Sequence, residues 1–325
     1  EIEDSVIELK AKGEIVIEER EDNNWIYLDS YYKAEENVAN KLITLDKARN
    51  MKHINDFEDE LEKIEQKTDL ILSDKQKEAI EAVNDNNVCI ITGGPGTGKT
   101  TIIKVILELY KSKKRKTVLC APTGRAAKRM TETTGEEAKT LHRLLEIGKI
   151  EEERTSKYND FDVAPLDADV IIVDEMSMVD LFLMNYLVKA IYQGSKLVLV
   201  GDVDQLPSVG PGNVLADLIN SKRIKTIVLN KIFRQAAKSK IIINSHRVNS
   251  GETFIKPQES AEELNQDFFY IKENNQDKIL NQILSLCSGR LESYGNYEFF
   301  KSIQVITPTK KGMLGTKELN KTLQK

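Results

Sequence analysis

Cysteine is scarce in this 325-residue chain, and long apolar runs, internal repeats and low-complexity segments are missing. Three cysteines (Cys89, Cys120, Cys287), widely spaced and odd in number, make neither a disulfide framework nor a zinc cluster. The longest apolar stretches, such as Val170 to Val173 and Leu197 to Val200, fall far short of the roughly 20 residues that cross a bilayer, so no membrane partner is expected. No basic start followed by an apolar run and a small-residue cleavage site opens the chain, and a reducing cytoplasm is the expected location. What is present is ordinary: 40% apolar and 30% charged residues give ample core material and exclude disorder as the main state. The length suggests about two domains. The chain opens at Glu1 and stops at Lys325 inside a helical pattern, which reads as a fragment of something longer.

The net charge of -5 hides an asymmetry. Residues 1 to 71 carry 10 Lys and Arg against 20 Asp and Glu, whereas the remainder carries 37 against 32. Within the remainder, Lys111 to Arg129 holds eight basic residues and no acid, a run that could attract a polyanion. The plainer reading is a solvated helix end and loop, and on charge alone it is the favoured one.

The first thirty residues read as a helix (Asp4 to Lys12), a strand (Glu14 to Glu19), a polar turn and a second strand (Trp25 to Leu28). A winged-helix module ends in a hairpin of this kind, but the segment's acidity argues against a nucleic-acid role. Tyr31 to Lys67 is helical in pattern, with Val38, Leu42, Ile43 and Leu45 as a buried stripe and a break near Asn50. From Leu72 the texture changes to short β-branched runs alternating with helical stretches, which predicts a parallel sheet flanked by helices. Val88 to Thr92, Thr117 to Ala121, Val170 to Val173 and Leu197 to Val200 are the clearest strands, each too apolar to face water on either side. A second unit from about Ile224 is expected to hold strands at Thr226 to Leu229, Phe268 to Ile271 and Ile303 to Thr307.

Gly93-Gly94-Pro95-Gly96-Thr97-Gly98-Lys99-Thr100 follows a predicted strand and opens a helix, as a P-loop requires. Glycines let successive backbone N–H groups curl around phosphate oxygens, and the helix N-terminus adds partial positive charge. Lys99 reaches the outer phosphates, and Thr100 can ligate magnesium. Residues 94 to 101, ending at Thr101, are therefore the expected nucleotide-binding segment, with ATP and Mg2+ as cofactors. A carboxylate for the magnesium is next required, and Val170-Ile171-Ile172-Val173-Asp174-Glu175 supplies it at a strand end. Asp174 is the ligand candidate. Glu175 is placed to position or deprotonate the attacking water, a task that a P-loop used only for binding would not need. The alternative for this pair is a strand ending in two solvated acids. A third strand ends in Gly201-Asp202-Val203-Asp204-Gln205, where Gln205 could contact the γ-phosphate or its water; the alternative there is a plain turn.

These segments, in this order, resemble the motifs of superfamily 1 helicases. Leu72 to Gln76 is similar to their Q motif, Ala121-Pro122-Thr123-Gly124-Arg125-Ala126-Ala127 to motif Ia, and Asp174-Glu175-Met176-Ser177 to motif II. Gly201 to Pro207 is similar to motif III and Phe233-Arg234-Gln235 to motif IV. Thr140 to Leu145, Gln205 to Gly212, and Thr307-Pro308-Thr309-Lys310-Lys311-Gly312 narrow the resemblance to the RecD-like group, and the acidic front resembles the N-terminal extension of its longer members.

The resemblance implies an α/β fold of P-loop RecA-like type. Residues 1–71 would be an accessory segment, 72–223 a first RecA-like domain with a pin hairpin at 146–165, and 224–325 an incomplete second one. It implies that Gln76 reads the adenine and that Arg234 neutralises transition-state charge. Pro122, Thr123 and Arg125, with Lys310 and Lys311, would hold single-stranded DNA or a single-strand/duplex junction. The implied activity is ATP-dependent 5'-to-3' translocation and unwinding, with motifs V and VI missing from this stretch, so that the chain alone is expected to turn over ATP weakly. The rivals are a nucleotide-dependent protein-interaction module and a DNA-dependent ATPase that does not unwind.

Overall fold

The computed structural model describes residues 2–20, 23–49, 52–147, 163–231, 238–256, 267–295 and 297–324. It divides into two compact units, 1–254 and 255–325.

The first unit opens with α1 (Ile2–Ala11) and an antiparallel hairpin of β1 (Ile15–Glu19) and β2 (Asn24–Leu28), paired from Ile15 with Leu28 to Glu19 with Asn24. Two helices follow, α2 (Asp29–Lys47) and α3 (Phe57–Thr68), with the interruption falling near Asn50 as the sequence suggests. Helix α2 buries Ala34, Val38, Leu42 and Leu45, spaced at four, four and three residues along one face. Ile43 departs from the expected stripe: it is exposed, because a residue one position from Leu42 points about 100° away.

The alternating segments after Leu72 build a six-stranded, wholly parallel sheet. Its strands are β3 (Val88–Gly93), β4 (Thr117–Ala121), β5 (Ala138–Thr140), β6 (Val170–Val173), β7 (Lys196–Gly201) and β8 (Lys225–Leu229), in the spatial order β5-β4-β6-β7-β3-β8. The intervening helices are α4 (Asp74–Asp85), before β3, then α5 (Lys99–Ser112), α6 (Gly124–Thr134), α7 (Leu141–Leu144), α8 (Leu181–Ala190), α9 (Val214–Ser221) and α10 (Lys240–Asn249). Period-two alternation deals the central strands to two cores. Val88, Ile90, Leu197 and Leu199 face α2 and α8, and Cys89, Ile91, Val198 and Val200 face α3, α4 and α5. Burial on both faces is why these strands read as unbroken apolar runs. The sequence division puts Thr226 to Leu229 with the C-terminal part, whereas in the structure β8 pairs with β3 at the sheet's edge.

The acidic front is tied onto this sheet domain. Asn84, on α4, accepts from the Ile54 N–H (2.8 Å) and donates to the Ile54 carbonyl (3.0 Å), and Asn87 donates to the carbonyl of Ala48 (2.7 Å). Tyr31 meets Phe182 edge-on, with ring centroids 5.0 Å apart. Of the eight basic residues from Lys111 to Arg129, Lys111 pairs with Glu136, Lys113 with Asp56 (2.6 Å) and Glu60 (3.3 Å), and Lys116 with Asp167 (2.6 Å), all acids of the same chain.

The second unit carries α11 (Gln276–Ser285), a π turn over Leu286–Arg290 and α12 (Thr316–Leu323), the last with Leu319 buried. Phe268 to Ile271 and Ile303 to Thr307, expected as strands, make no ladder among the described residues. Their β-branched and aromatic side chains favour a pleated surface, but a strand forms only where a neighbour completes its hydrogen bonds.

Candidate active site

In a parallel sheet every strand ends on the same edge, and loops leaving that edge converge. Four such loops carry the residues singled out in the sequence. After β3 comes the P-loop, in which Gly96 (φ 76°) and Gly98 (φ 87°) hold left-handed backbone that β-carbon-bearing residues disfavour, delivering Lys99 into the first turn of α5. Thr97 is buried and its hydroxyl donates to the Gly94 carbonyl (2.8 Å), bracing the loop across its mouth. Lys99 bends back onto the loop, donating to the Gly93 carbonyl and to that of Gly94 (3.1 Å). Thr100 and Thr101 follow in the same turn of α5.

Beyond β6 stand Asp174 and Glu175. The Asp174 N–H donates to the Cys120 carbonyl (3.0 Å), continuing the sheet by one residue, and its carboxylate accepts from the Glu175 N–H (2.9 Å). Glu175 then takes left-handed backbone (φ 56°), an uncommon conformation for a residue with a side chain, and a short 3-10 turn over Met176–Met178 follows. Between β3 and β6 lies β7, so the P-loop and the acid pair are two ladder spacings apart, about 9–10 Å. β7 ends in Gly201 and the buried Asp202, whose carboxylate accepts from the Gln205 side-chain amide (3.3 Å). Gln205 is itself exposed.

Electrostatics join these loops into one site. Burial pulls the Lys99 ammonium below its usual range, opposed first by Asp202 and then by Asp174 and Glu175. Burial raises Asp174, against the Glu175 N–H, Lys99 and Arg129. Glu175 is raised by burial and by repulsion from Asp174, against Lys99 and Arg129. A cation and three carboxylates thus share one edge in partly dehydrated surroundings.

Gln76 lies in the first turn of α4, which leads into β3 through Asn86 and Asn87 and therefore starts on the P-loop side of the sheet. It is buried, and its carbonyl oxygen is engaged in a capping box, accepting from the Ser73 N–H (3.0 Å). Pro122, Thr123 and Arg125 follow β4 on the same edge, with the Thr123 hydroxyl capping α6 by accepting from the Ala126 N–H (3.2 Å). Lys310 and Lys311 are exposed and belong to the other unit. Phe233, Arg234 and Gln235, and residues 148–162 of the pin expected over 146–165, lie outside the described residues.

Three residues at this edge were not singled out from the sequence. Asp202 favours and Arg129 opposes the Lys99 charge, and the elements that carry them, β7 and α6, become neighbours of the P-loop in an order not written in the chain. His246, on α10, packs against Gly94, where an added β-carbon would lie 2.5 Å from its Cε1. A cleft of about 800 Å3, lined by residues including Lys104, Glu108, Lys111, Thr133 and Glu136, takes in Thr101 from the end of the expected nucleotide-binding segment but none of residues 94–100. It is not this site.

The donor set suits a hard cation. Thr100 offers a hydroxyl and Asp174 a carboxylate, matching magnesium, which keeps several waters and takes few protein oxygens. Among the described residues no group of three or more His, Cys, Asp or Glu forms a cage for a metal.

A strand, a glycine loop cupping a helix N-terminus and an acid pair two strands away, across β7, define a P-loop nucleotide-binding domain of RecA-like fold. Comparison with known proteins agrees: residues 76–211 match a family model described as an AAA domain. The chain is 37% identical over 253 residues to the ATP-dependent RecD2 DNA helicase of Deinococcus radiodurans, covering 78% of this chain and 32% of that protein. It is 35% identical over 227 residues to the RecBCD enzyme subunit RecD of Mycobacterium tuberculosis, covering 63% and 37%. Among solved structures, the Pif1 helicase from Candida albicans aligns at a TM-score of 0.43 and 21% identity, over 66% of this chain and 54% of that one. The chain is thus similar to RecD-type helicases over most of its length, and it spans about a third of the length of the two relatives just described.

Proposed function

We propose that this chain is the ATP-binding part of a DNA helicase that couples ATP hydrolysis to 5'-to-3' movement along single-stranded DNA. The observation that carries the reading is that the P-loop with Lys99, Asp202, and the acid pair Asp174 and Glu175 leave the same edge of the parallel sheet from three adjacent strands, β3, β7 and β6. Backbone N–H groups from Gly94 to Lys99 would cradle the phosphates, with Lys99 on the outer ones. Thr100 and Asp174 would hold magnesium, which when bound supplies positive charge to the phosphate oxygens. Glu175 would position the attacking water and accept its proton; its raised affinity for protons, caused by burial and by Asp174, suits that role. Gln76 would read the adenine with the amide nitrogen that capping leaves over, and Gln205 would report on the γ-phosphate. Arg234 remains the proposed neutraliser of transition-state charge.

Pro122, Thr123 and Arg125 are proposed to contact DNA phosphates, with Lys310 and Lys311 contributing from a unit that we read as the start of the second RecA-like domain. Binding of this kind weakens steeply with salt and shows little sequence preference. The rival interaction module would use the acidic front as its docking face. Asp56 and Glu60 instead pair with Lys113 within the chain, which disfavours it.

The first test is binding of a fluorescent ATP analogue by the 325-residue chain: micromolar binding, lost in Lys99→Ala, is expected, and no binding by the unaltered chain overturns the reading. The second uses a form extended to the length of its relatives. Its ATPase should be stimulated by single-stranded DNA and should open 5'-tailed duplexes in preference to 3'-tailed ones. Absence of stimulation supports the interaction module; stimulation without unwinding supports a DNA-dependent ATPase.

A further inference from the structure

The ring of His246 fills the space that a side chain on Gly94 would occupy: a β-carbon built there would lie 2.5 Å from Cε1, 3.2 Å from Nε2 and 3.4 Å from Nδ1. It arrives on α10, whose start is fixed by Ser239 accepting from the Ile242 N–H (3.3 Å). His246 Nε2 is sealed from solvent and has no hydrogen-bond partner among the described residues. An orphaned buried nitrogen is costly, so native structures rarely keep one without a reason.

The other side of the same loop supplies a reason. Lys99 rests on the carbonyls of Gly93 and Gly94, and a lysine serving phosphates has to leave them. Gly94 keeps the Thr97 hydroxyl, but the loop as a whole gives up the ammonium that was satisfying it. An incoming phosphate does not reach His246 Nε2 directly, because that atom is enclosed, whereas the Gly94 peptide lies against the ring. We propose that His246 is a positioning residue for nucleotide binding: as Lys99 turns to the phosphates, the His246 Nε2–H donates to the P-loop carbonyl at Gly94 and holds the loop in its open, phosphate-accepting form. The required tautomer has the proton on Nε2. This rests on the nucleotide-site reading above. It adds that affinity for the phosphates depends on a side chain some 150 residues downstream of the loop.

The test measures the dissociation constant of a fluorescent ATP analogue on the 325-residue chain, together with the thermal midpoint without nucleotide. His246→Phe keeps a ring in the contact and removes the donor; affinity should fall about tenfold, the worth of one such hydrogen bond, while the unliganded midpoint holds or rises. His246→Gln places an amide N–H near the Nε2 position and should stay within about threefold of the unaltered protein. The shorter His246→Asn should lose affinity as the Phe variant does, and this polar pair serves if the Phe variant fails to fold. Equal nucleotide affinity in all variants overturns the proposal and leaves the nucleotide site standing. So does a parallel loss of affinity and unliganded stability in the Gln and Phe variants, which would make His246 a packing residue. No binding by the unaltered chain overturns the site reading and this proposal with it.

Discussion

The ammonium of Lys196, wholly buried at the start of β7, donates to the carbonyls of Asn84 and Asn86, each at 2.8 Å. It thereby closes the C-terminal end of α4, where helix carbonyls have no partner of their own. Replacing it with Met should lower stability by about 1–3 kcal/mol in urea unfolding, because two carbonyls lose their donor in a dry setting.

The same lysine gives a pH signature. Burial lowers its pKa from 10.5 to about 8. Between about pH 8 and 10.5 the unfolded chain holds a proton that the folded chain has released, so this residue's contribution to stability rises with pH in that window and is flat below it. The stability gap between the unaltered protein and Lys196→Met should therefore widen from pH 7.5 to pH 10. A gap that stays constant would show that the lysine keeps its ordinary pKa, and one that narrows that the fold favours its charge.

Two attachments of the N-terminal helices should differ in strength. Asn84→Ala removes a buried, reciprocal pair of hydrogen bonds to Ile54 and should cost about 2 kcal/mol or more. Lys113→Ala breaks surface ion pairs with Asp56 and Glu60 and should cost clearly less, shrinking further in salt. Thermal midpoints in low and high salt distinguish the two.

The contact between Gly94 and His246 should show as coupling. Gly94→Ala places a methyl group against the ring and should destabilise the chain. The penalty should shrink in a His246→Ala background, with an interaction energy of about 1 kcal/mol or more in a double-mutant cycle. Additive effects would mean that the ring does not sit there in solution.

Catalysis should separate from binding at Glu175. In a form extended to the length of its relatives, Glu175→Gln should keep ATP affinity while lowering kcat by about a hundredfold or more, as expected on loss of a general base. Equal damage to binding and turnover would instead assign Glu175 to holding the nucleotide.

The central strands were legible because burial on both faces removes the polar alternation that surface strands carry, so Val170 to Val173 and Leu197 to Val200 read plainly as sheet interior. Strand β5 was not: Ala138-Lys139-Thr140 is too short and too polar to stand out, and it exists because β4 offers a free edge. Phe268 to Ile271 shows the reverse case, strand-forming side chains with no ladder to join among the described residues. At the site, the P-loop was legible because its backbone demands glycine at fixed positions. Asp202, Arg129 and His246 were not, since their place depends on which strands and helices become neighbours, and β7 enters between β3 and β6 from far along the chain.

Strand β7 pairs with β3 from Leu197 to Gly201 on one flank and with β6 from Lys196 to Leu199 on the other, so the glycine loop and the acid pair are bolted to a common plate. Their separation is a constant of peptide geometry, beyond the reach of side-chain substitution. Anyone wishing to retune what this pocket accepts must edit the short connectors beyond the strand tips and leave the plate alone.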